Sequence, residues 1–309
     1  MGLQGMNNTN QKNGIIYALF AYLIWGFLPI YWKSLEGITA GPILAHRIIW
    51  AFLLLLIIIL VTKQFRGFVK SIKDVFNSKK VLIILFSASI IISFNWLIYI
   101  WAVQNAHVIQ TSLGYYINPL LNVVLGMLFL KERLSKAQTL SVALAAVGVL
   151  YLTISYGQFP WIALILASTF AVYGLLKKLI TLNPIFSLTI ETLFIAPIAL
   201  IYLTFFNDSD TAFLALTPMT ITLLIGGGVV TAVPLLLFGK AVQHISLSMA
   251  GILQYLAPTL ILLIGVFLYD EPFTQAHLFA FVFIWSALII YMISSIKQNS
   301  HKSKHSKLS

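Results

Sequence analysis

Ten long apolar runs, joined by connectors too short to fold alone, constrain this chain more than any other feature. They lie near 14–32, 42–62, 80–102, 108–130, 136–155, 159–177, 184–206, 217–239, 246–269 and 274–296. Crossing a bilayer core takes about 20 residues of apolar helix, so ten such runs use nearly all 309 residues. Stretches such as Ala51 to Val61 are apolar on every side. In hydrocarbon only a helix or a closed barrel satisfies its own backbone groups, each of which costs several kcal/mol when left open, and runs of this length fit helices. The predicted class is an all-α membrane protein of ten transmembrane helices, with no room for a soluble enzyme domain. Charged residues make up 9% of the chain, against about 25% in soluble domains, which excludes a single water-soluble core. The first run lacks a basic flank and a small-residue cleavage site, so it is expected to be a retained helix.

The net charge of +11 sits in short segments between apolar runs and not on one folded face, which argues for membrane orientation and against nucleic acid. All nineteen Lys and Arg except Lys33 and Arg47 fall in the N-terminal segment, every second connector and the C-terminal tail. These are Lys12; Lys63, Arg66, Lys70, Lys73, Lys79 and Lys80; Lys131, Arg133 and Lys136; Lys177 and Lys178; Lys240; and Lys297, Lys302, Lys304 and Lys307. The alternate connectors hold Lys33 with the acidic Glu36, Asp208, Asp210, Asp270 and Glu271. This asymmetry predicts both termini in the cytoplasm of a multi-pass cell-membrane protein. Residues 1–13 form a cytoplasmic N-terminal segment, and the polar tail 297–309 has nothing to bury and is expected to be disordered. Cysteine is absent, so disulfides and thiolate metal sites are excluded, and no cofactor or metal is expected. His107 and His244 have no second ligand at metal spacing.

An internal repeat appears 139 residues apart. Ala102, Val103, Gln104, Tyr116, Pro119, Leu121, Gly126 and Glu132 match Ala241, Val242, Gln243, Tyr255, Pro258, Leu260, Gly265 and Glu271. Five spans per half is an odd number, so the second copy must cross in the opposite sense. The expected domains are therefore two inverted five-helix repeats, 14–155 and 156–296, a plan that supplies two nearly equivalent states. Gly226, Gly227 and Gly228 suggest close helix contact or a hinge in the eighth span, and the small residues from Ser141 to Gly148 suggest helix packing or a homodimer.

A charge at the bilayer centre costs at least about 2.5–3.5 kcal/mol, so it should face protein or water. Two charges lie well inside apolar runs, Arg47 in the second span and Glu191 in the seventh. Their idealised depths, about 7 Å from the outer edge and about 10 Å from the inner one, make direct pairing unexpected. Arg47, beside His46, is expected to attract a carboxylate or other anion, the alternative being snorkelling to the outer interface. Glu191 is expected to be a protonatable or cation-binding group, with a structural hydrogen bond as the alternative. Pro119 and Pro258 fall midway along their spans and free the carbonyls of Tyr115 and Gln254, which then need a partner or water. Around these kinks Tyr116, Asn118, Gln254 and Tyr255 offer polar and aromatic surface, and Asn95, Trp96 and Tyr99 do so in the third span. Trp25 and Tyr173 occupy similar places beside Gly26 and Gly174.

Several segments resemble one known family. Ala45-His46-Arg47-Ile48-Ile49-Trp50, Asn95-Trp96, Tyr99 to Val103, Ser112 to Leu120, Tyr173-Gly174-Leu175-Leu176, Glu191-Thr192-Leu193 and Leu253 to Thr259 are similar to the RarD group of EamA-type drug/metabolite transporters. The resemblance spans nearly the whole chain. It implies the drug/metabolite transporter fold in the cytoplasmic membrane, with a central cavity lined by both halves. It also implies a secondary active carrier that exports small metabolites or drugs, amino-acid-like or chloramphenicol-like, with a proton as the possible coupling ion. Its partners would be a small solute and membrane lipid. A non-concentrative channel, receptor or scaffold is the alternative. No nucleophile, metal cluster or acid–base pair stands out for an enzyme.

Overall fold

The second span opens at Ala40, where Thr39 holds an extended backbone before the first helical turn, and Ser135, Thr217 and Ser246 do the same for later helices while also capping them with their hydroxyls. A computed structural model describes residues 8–35, 37–105, 107–205, 216–269 and 273–305, with backbone alone at 8, 9, 103, 104, 108, 109 and 298–305. The acidic residues Glu36, Asp208, Asp210, Asp270 and Glu271 lie outside the described residues.

Among the described residues, ten helical spans are long and apolar enough to cross a membrane. The first half is α1 (Asn8–Lys33), α2 (Ala40–Val61), α4 (Lys79–Gln104), α5 (Val108–Leu130) and α6 (Lys136–Ser155), with a short α3 (Phe65–Asn77) inserted after α2. The second half is α7 (Trp161–Leu179), α8 (Pro184–Phe205), α9 (Pro218–His244), the pair α10 (Leu247–Gln254) and α11 (Leu256–Leu268), and α12 (Gln275–His305). Packing obeys the inverted repeat. The first helix of one half, α1, lies on α9 and α11 of the other, and its counterpart α7 lies on α4 and α5. Three counterpart pairs cross on the pseudo-twofold axis: α2 with α8, α5 with α10, and α6 with α12. Ten spans leave both chain ends on one face of the bundle, here called the terminal face.

Three local features depart from the sequence expectations. The basic segment after α2 is helical, because Phe68 and Val75 recur on one face of α3 and are buried against Ile59, Leu85, Phe186 and Ile190. The ninth span is interrupted at Tyr255, three residues before Pro258, whose missing N–H leaves Gln254 without an i+4 donor. There the Tyr255 N–H bonds Ile252 O at 3.3 Å, a tighter turn than the α-helix. Lastly, α12 continues through Lys297 to His305, where a disordered tail was expected; extending an existing helix is far easier than starting one.

The small residues are used within the chain. Ser141 Oγ donates to Ala287 O at 2.6 Å and Gly148 abuts Ala280 and Phe283, so that face of α6 is covered by α12. Gly228 lets α9 press against α2: a Cβ there would collide with the backbone of Trp50 and Ala51. Gly251 does the same for α10, bringing it against Pro119 O and Asn122 of α5.

Candidate functional site

A cavity lies between the halves, toward the face opposite the chain ends. Each contributing helix presents one stripe. Trp25, Leu28, Pro29 and Trp32 come from α1, and Thr111, Gly114, Tyr115 and Asn118 from α5, both at i, i+3, i+4, i+7 spacing. Arg47 of α2, Asn95, Trp96 and Tyr99 of α4, and Leu166 and Phe170 of α7 add to the wall. Gln254, Ala257 and Ile261 complete it across the break between α10 and α11.

Arg47 is the charged group of this wall. It is 6% exposed, and its Nε donates to Thr231 Oγ1 of α9 at 3.0 Å. The guanidinium lies between two indoles, 4.4 Å from the Trp32 ring centroid and 4.8 Å from that of Trp96. Such contacts offset part of the cost of an unpaired cation, about 2 kcal/mol each when desolvated. Its Nη groups have no hydrogen bond or ion pair with any described residue. Nearby, Tyr99 and Tyr115 are hydrogen-bonded, their rings 5.9 Å apart and edge to face.

A polar chain runs behind the wall. Asn95 Nδ2 donates to Leu166 O at 2.9 Å and to Thr169 Oγ1 at 2.8 Å. Asn118 Nδ2 donates to Ala167 O at 2.7 Å. Asn122 Nδ2 is shared between Asn118 Oδ1 and Gln254 Oε1, both at 3.1 Å, which ties α5 to the end of α10.

Toward the terminal face the bundle is closed in two layers. The first is aromatic: Tyr22 and Trp25 of α1, Phe170 and Tyr173 of α7, and Phe238 of α9 stack in one cluster, with Phe238 5.8 Å from Trp25, 5.6 Å from Phe170 and 6.3 Å from Tyr173. The second layer is a latch. Glu132, just past α5, accepts from Leu247 N at 2.7 Å, Ser248 N at 3.0 Å and Ser248 Oγ at 2.6 Å, so a carboxylate of the first half sits on the N-terminus of α10. Tyr22 OH reinforces it by donating to Ala250 O at 2.8 Å.

Glu191 lies in this closed half, 2% exposed, and does not line the cavity. Lys177 Nζ donates to its Oε1 at 2.6 Å, Ser187 Oγ donates to the same oxygen at 2.7 Å, and Tyr173 OH donates to Oε2 at 3.2 Å. The cation that Glu191 holds in this structure is thus the chain's own Lys177. Arg47 and Glu191 are not paired with each other, in line with their predicted depths.

The chain matches the EamA-like transporter family twice, over residues 12–154 and 159–293, once in each half. The chain belongs to this family. Within it the RarD group is the relevant branch: the Escherichia coli protein RarD is 40% identical over 300 residues, 97% of this chain and 100% of that one. An uncharacterized transporter of Bacillus subtilis, YojE, is 44% identical with the same coverage. A Pseudomonas aeruginosa protein named chloramphenicol-sensitive protein RarD is 27% identical over 90% of this chain and 92% of its own. A solved crystal structure superposes with a TM-score of 0.69 over 91% of this chain and 97% of that one, at 16% identity, which is a likeness of fold alone.

For this EamA-family chain the structure brings together Arg47, Asn95, Trp96, Tyr99, Asn118 and Gln254 in one wall. His46, Tyr116 and Tyr255 are buried away from it; Tyr116 OH donates to Pro258 O at 3.4 Å and so braces the broken helix. Both kink prolines lie beside the α5–α10 crossing, although α5 runs unbroken through Pro119. Sequence reasoning missed Trp32, Thr111, Tyr115, Phe170 and Thr231. The helical spacing of 111, 114, 115 and 118 could have found the α5 stripe, whereas Thr231 is defined only by its contact with Arg47. Lys177 was assigned to a cytoplasmic connector because it adjoins Lys178; it is buried inside α7, 4% exposed, and is a third intramembrane charge.

Proposed function

We propose that this transporter is a secondary active carrier of the cytoplasmic membrane that exports small metabolites or drugs by alternating access. The carrying observation is one-sidedness. Two inverted halves enclose a cavity toward one face, while the other face is closed by a cluster and a latch that each draw on both halves. Inverted halves give a second state of nearly equal energy, in which the closed half opens and the cavity half shuts. The Lys and Arg asymmetry supports a cytoplasmic terminal face, and on that reading the cavity opens to the outer side. Opening the cytoplasmic half would break the Glu132 latch, part Trp25, Phe170 and Phe238, and bring water to Lys177 and Glu191. A proton exchanged there by Glu191 is the proposed coupling event.

The chain has no cysteine, so single introduced thiols report this directly. An impermeant maleimide added outside is expected to label Ile261→Cys in the cavity, while Ala250→Cys beneath the latch resists the reagent from the cytoplasmic side. Adding Glu132→Gln, which weakens the latch, is expected to lower the first rate and raise the second. Both positions reacting freely from their own sides at once would mean a channel, and rates indifferent to Glu132 would remove the alternating-access reading.

A further inference from the structure

The free polar groups of the cavity have a sign. Arg47 offers its Nη N–H groups and Gln254 its amide nitrogen, none of which has a hydrogen-bond partner among the described residues, the Gln254 oxygen being taken by Asn122. Asn95 and Asn118 use their amide nitrogens on the carbonyls of Leu166 and Ala167, and Asn118 Oδ1 already accepts from Asn122. The Asn95 amide oxygen is left as an uncommitted side-chain acceptor. Among the described residues no Asp or Glu lines the wall. The one described carboxylate within the spans, Glu191, is neutralised by Lys177 behind the aromatic cluster. The rest of the wall is mainly apolar, with Trp25, Trp32, Trp96, Tyr99, Tyr115 and Phe170 as its rings and, as its hydroxyls, Thr111 and the mutually hydrogen-bonded Tyr99 and Tyr115.

Burying a cation without a counter-charge costs several kcal/mol, and the two indoles offset only part of it. An incoming carboxylate would meet two parallel N–H donors of a guanidinium whose rotamer Thr231 and the indoles already fix, so little ordering entropy is lost on binding. A cationic solute would meet like charge with no carboxylate among the described residues of the wall to answer it. The ammonium of a zwitterion would find only neutral acceptors, an amide oxygen and hydroxyls, and ring faces that lie beside Arg47.

We propose that the cavity selects a monoanionic solute, a single carboxylate or similar oxyanion on a flat aromatic or otherwise apolar body, with Arg47 and Gln254 as its anion donors. This rests on the carrier reading and adds its cargo class. The exposed end of the solute can carry one hydroxyl or N–H for Asn95, and nothing in the wall favours a second negative charge.

A matched series tests it without altering the protein: 3-phenylpropanoate, phenylalanine, 3-phenylpropanamide and 3-phenylpropylamine share one skeleton and differ in charge. Thermal stabilisation and quenching of tryptophan fluorescence in detergent report binding, and filter-retained radiolabelled 3-phenylpropanoate reports it independently. The anion is expected to bind at least about tenfold more tightly than the other three, a difference of roughly 1.4 kcal/mol. Uncharged chloramphenicol is expected to compete poorly. Arg47→Gln should abolish the preference, and Arg47→Lys should keep the sign while weakening it, since a point charge replaces a fork. Equal or tighter binding of the amine or the amide, no binding of any of the four, or an anion preference that survives Arg47→Gln would overturn the proposal. If Arg47→Gln does not fold, the charge series on the unaltered chain still decides. The cysteine experiment needs no cargo, so the carrier reading can stand while the anion class falls.

Discussion

Arg47 and Glu191 sit on counterpart helices, α2 and α8, that cross on the pseudo-twofold axis, yet their surroundings are opposite. Arg47 faces a cavity, held by one hydroxyl and two indoles with its remaining donors open. Glu191 is sealed away, with each carboxylate oxygen occupied and a lysine within 2.6 Å. Two repeats with one helical plan therefore handle a buried charge in two ways. On the closed side of the bundle the charge is satisfied internally, and on the side with the cavity it is left for something that arrives. An unpaired cation held in position is a liability for stability and an asset for binding, whereas a saturated ion pair is the reverse until it is opened to water.

That contrast can be broken in order of effect. Lys177→Met leaves Glu191 buried without its cation and is expected to destabilise the protein by about 3–5 kcal/mol, with the double variant Lys177→Met/Glu191→Gln recovering most of it. Thermal unfolding of the four proteins in one detergent measures this cycle, and a Lys177→Met protein as stable as the parent would show that the pair is not structural. Arg47→Gln should act the other way: cargo affinity falls at least about tenfold, roughly 1.4 kcal/mol, while the unfolding temperature holds or rises. A large loss of stability with intact binding would reverse the two roles. Between the sites, Asn122→Ala strips a partner from both Asn118 Oδ1 and Gln254 Oε1 and is expected to cost about 1–3 kcal/mol. It should also loosen the α5–α10 crossing, read as faster hydrogen exchange in α10. Far from both charges, Ser141→Ala removes one hydrogen bond between α6 and α12 and should cost only about 1 kcal/mol with no change in binding.

Much of the site was legible because charge and amide groups in hydrocarbon are expensive wherever they occur. Arg47 and Asn95 stand out on that ground, Asn118 and Gln254 as polar groups beside the kink prolines, and all four line the cavity. Aromatic neighbours were harder. Tyr116 and Tyr255 flank the kink prolines, but each is about one helical step, near 100°, off the stripe that faces the cavity. Trp32 carries no signal in the sequence; only the approach of α2 turns it into one wall of a cation cage. Lys177 misled for a related reason. Basic residues at the end of an apolar run are normally outside it, and only the arrival of Glu191 from α8 makes burial of that lysine tolerable.

By itself the sequence determined the helical class, the ten spans, the inverted duplication and the sidedness of charge, because the bilayer imposes span length and backbone satisfaction on each segment locally. The tertiary structure alone decided toward which face the cavity lies, which charge is matched and which is not, and that Glu132 locks the N-terminus of α10. Those outcomes depend on residues 14 to 184 positions apart meeting in space, and on a choice between two near-equivalent packings that a duplicated sequence encodes together.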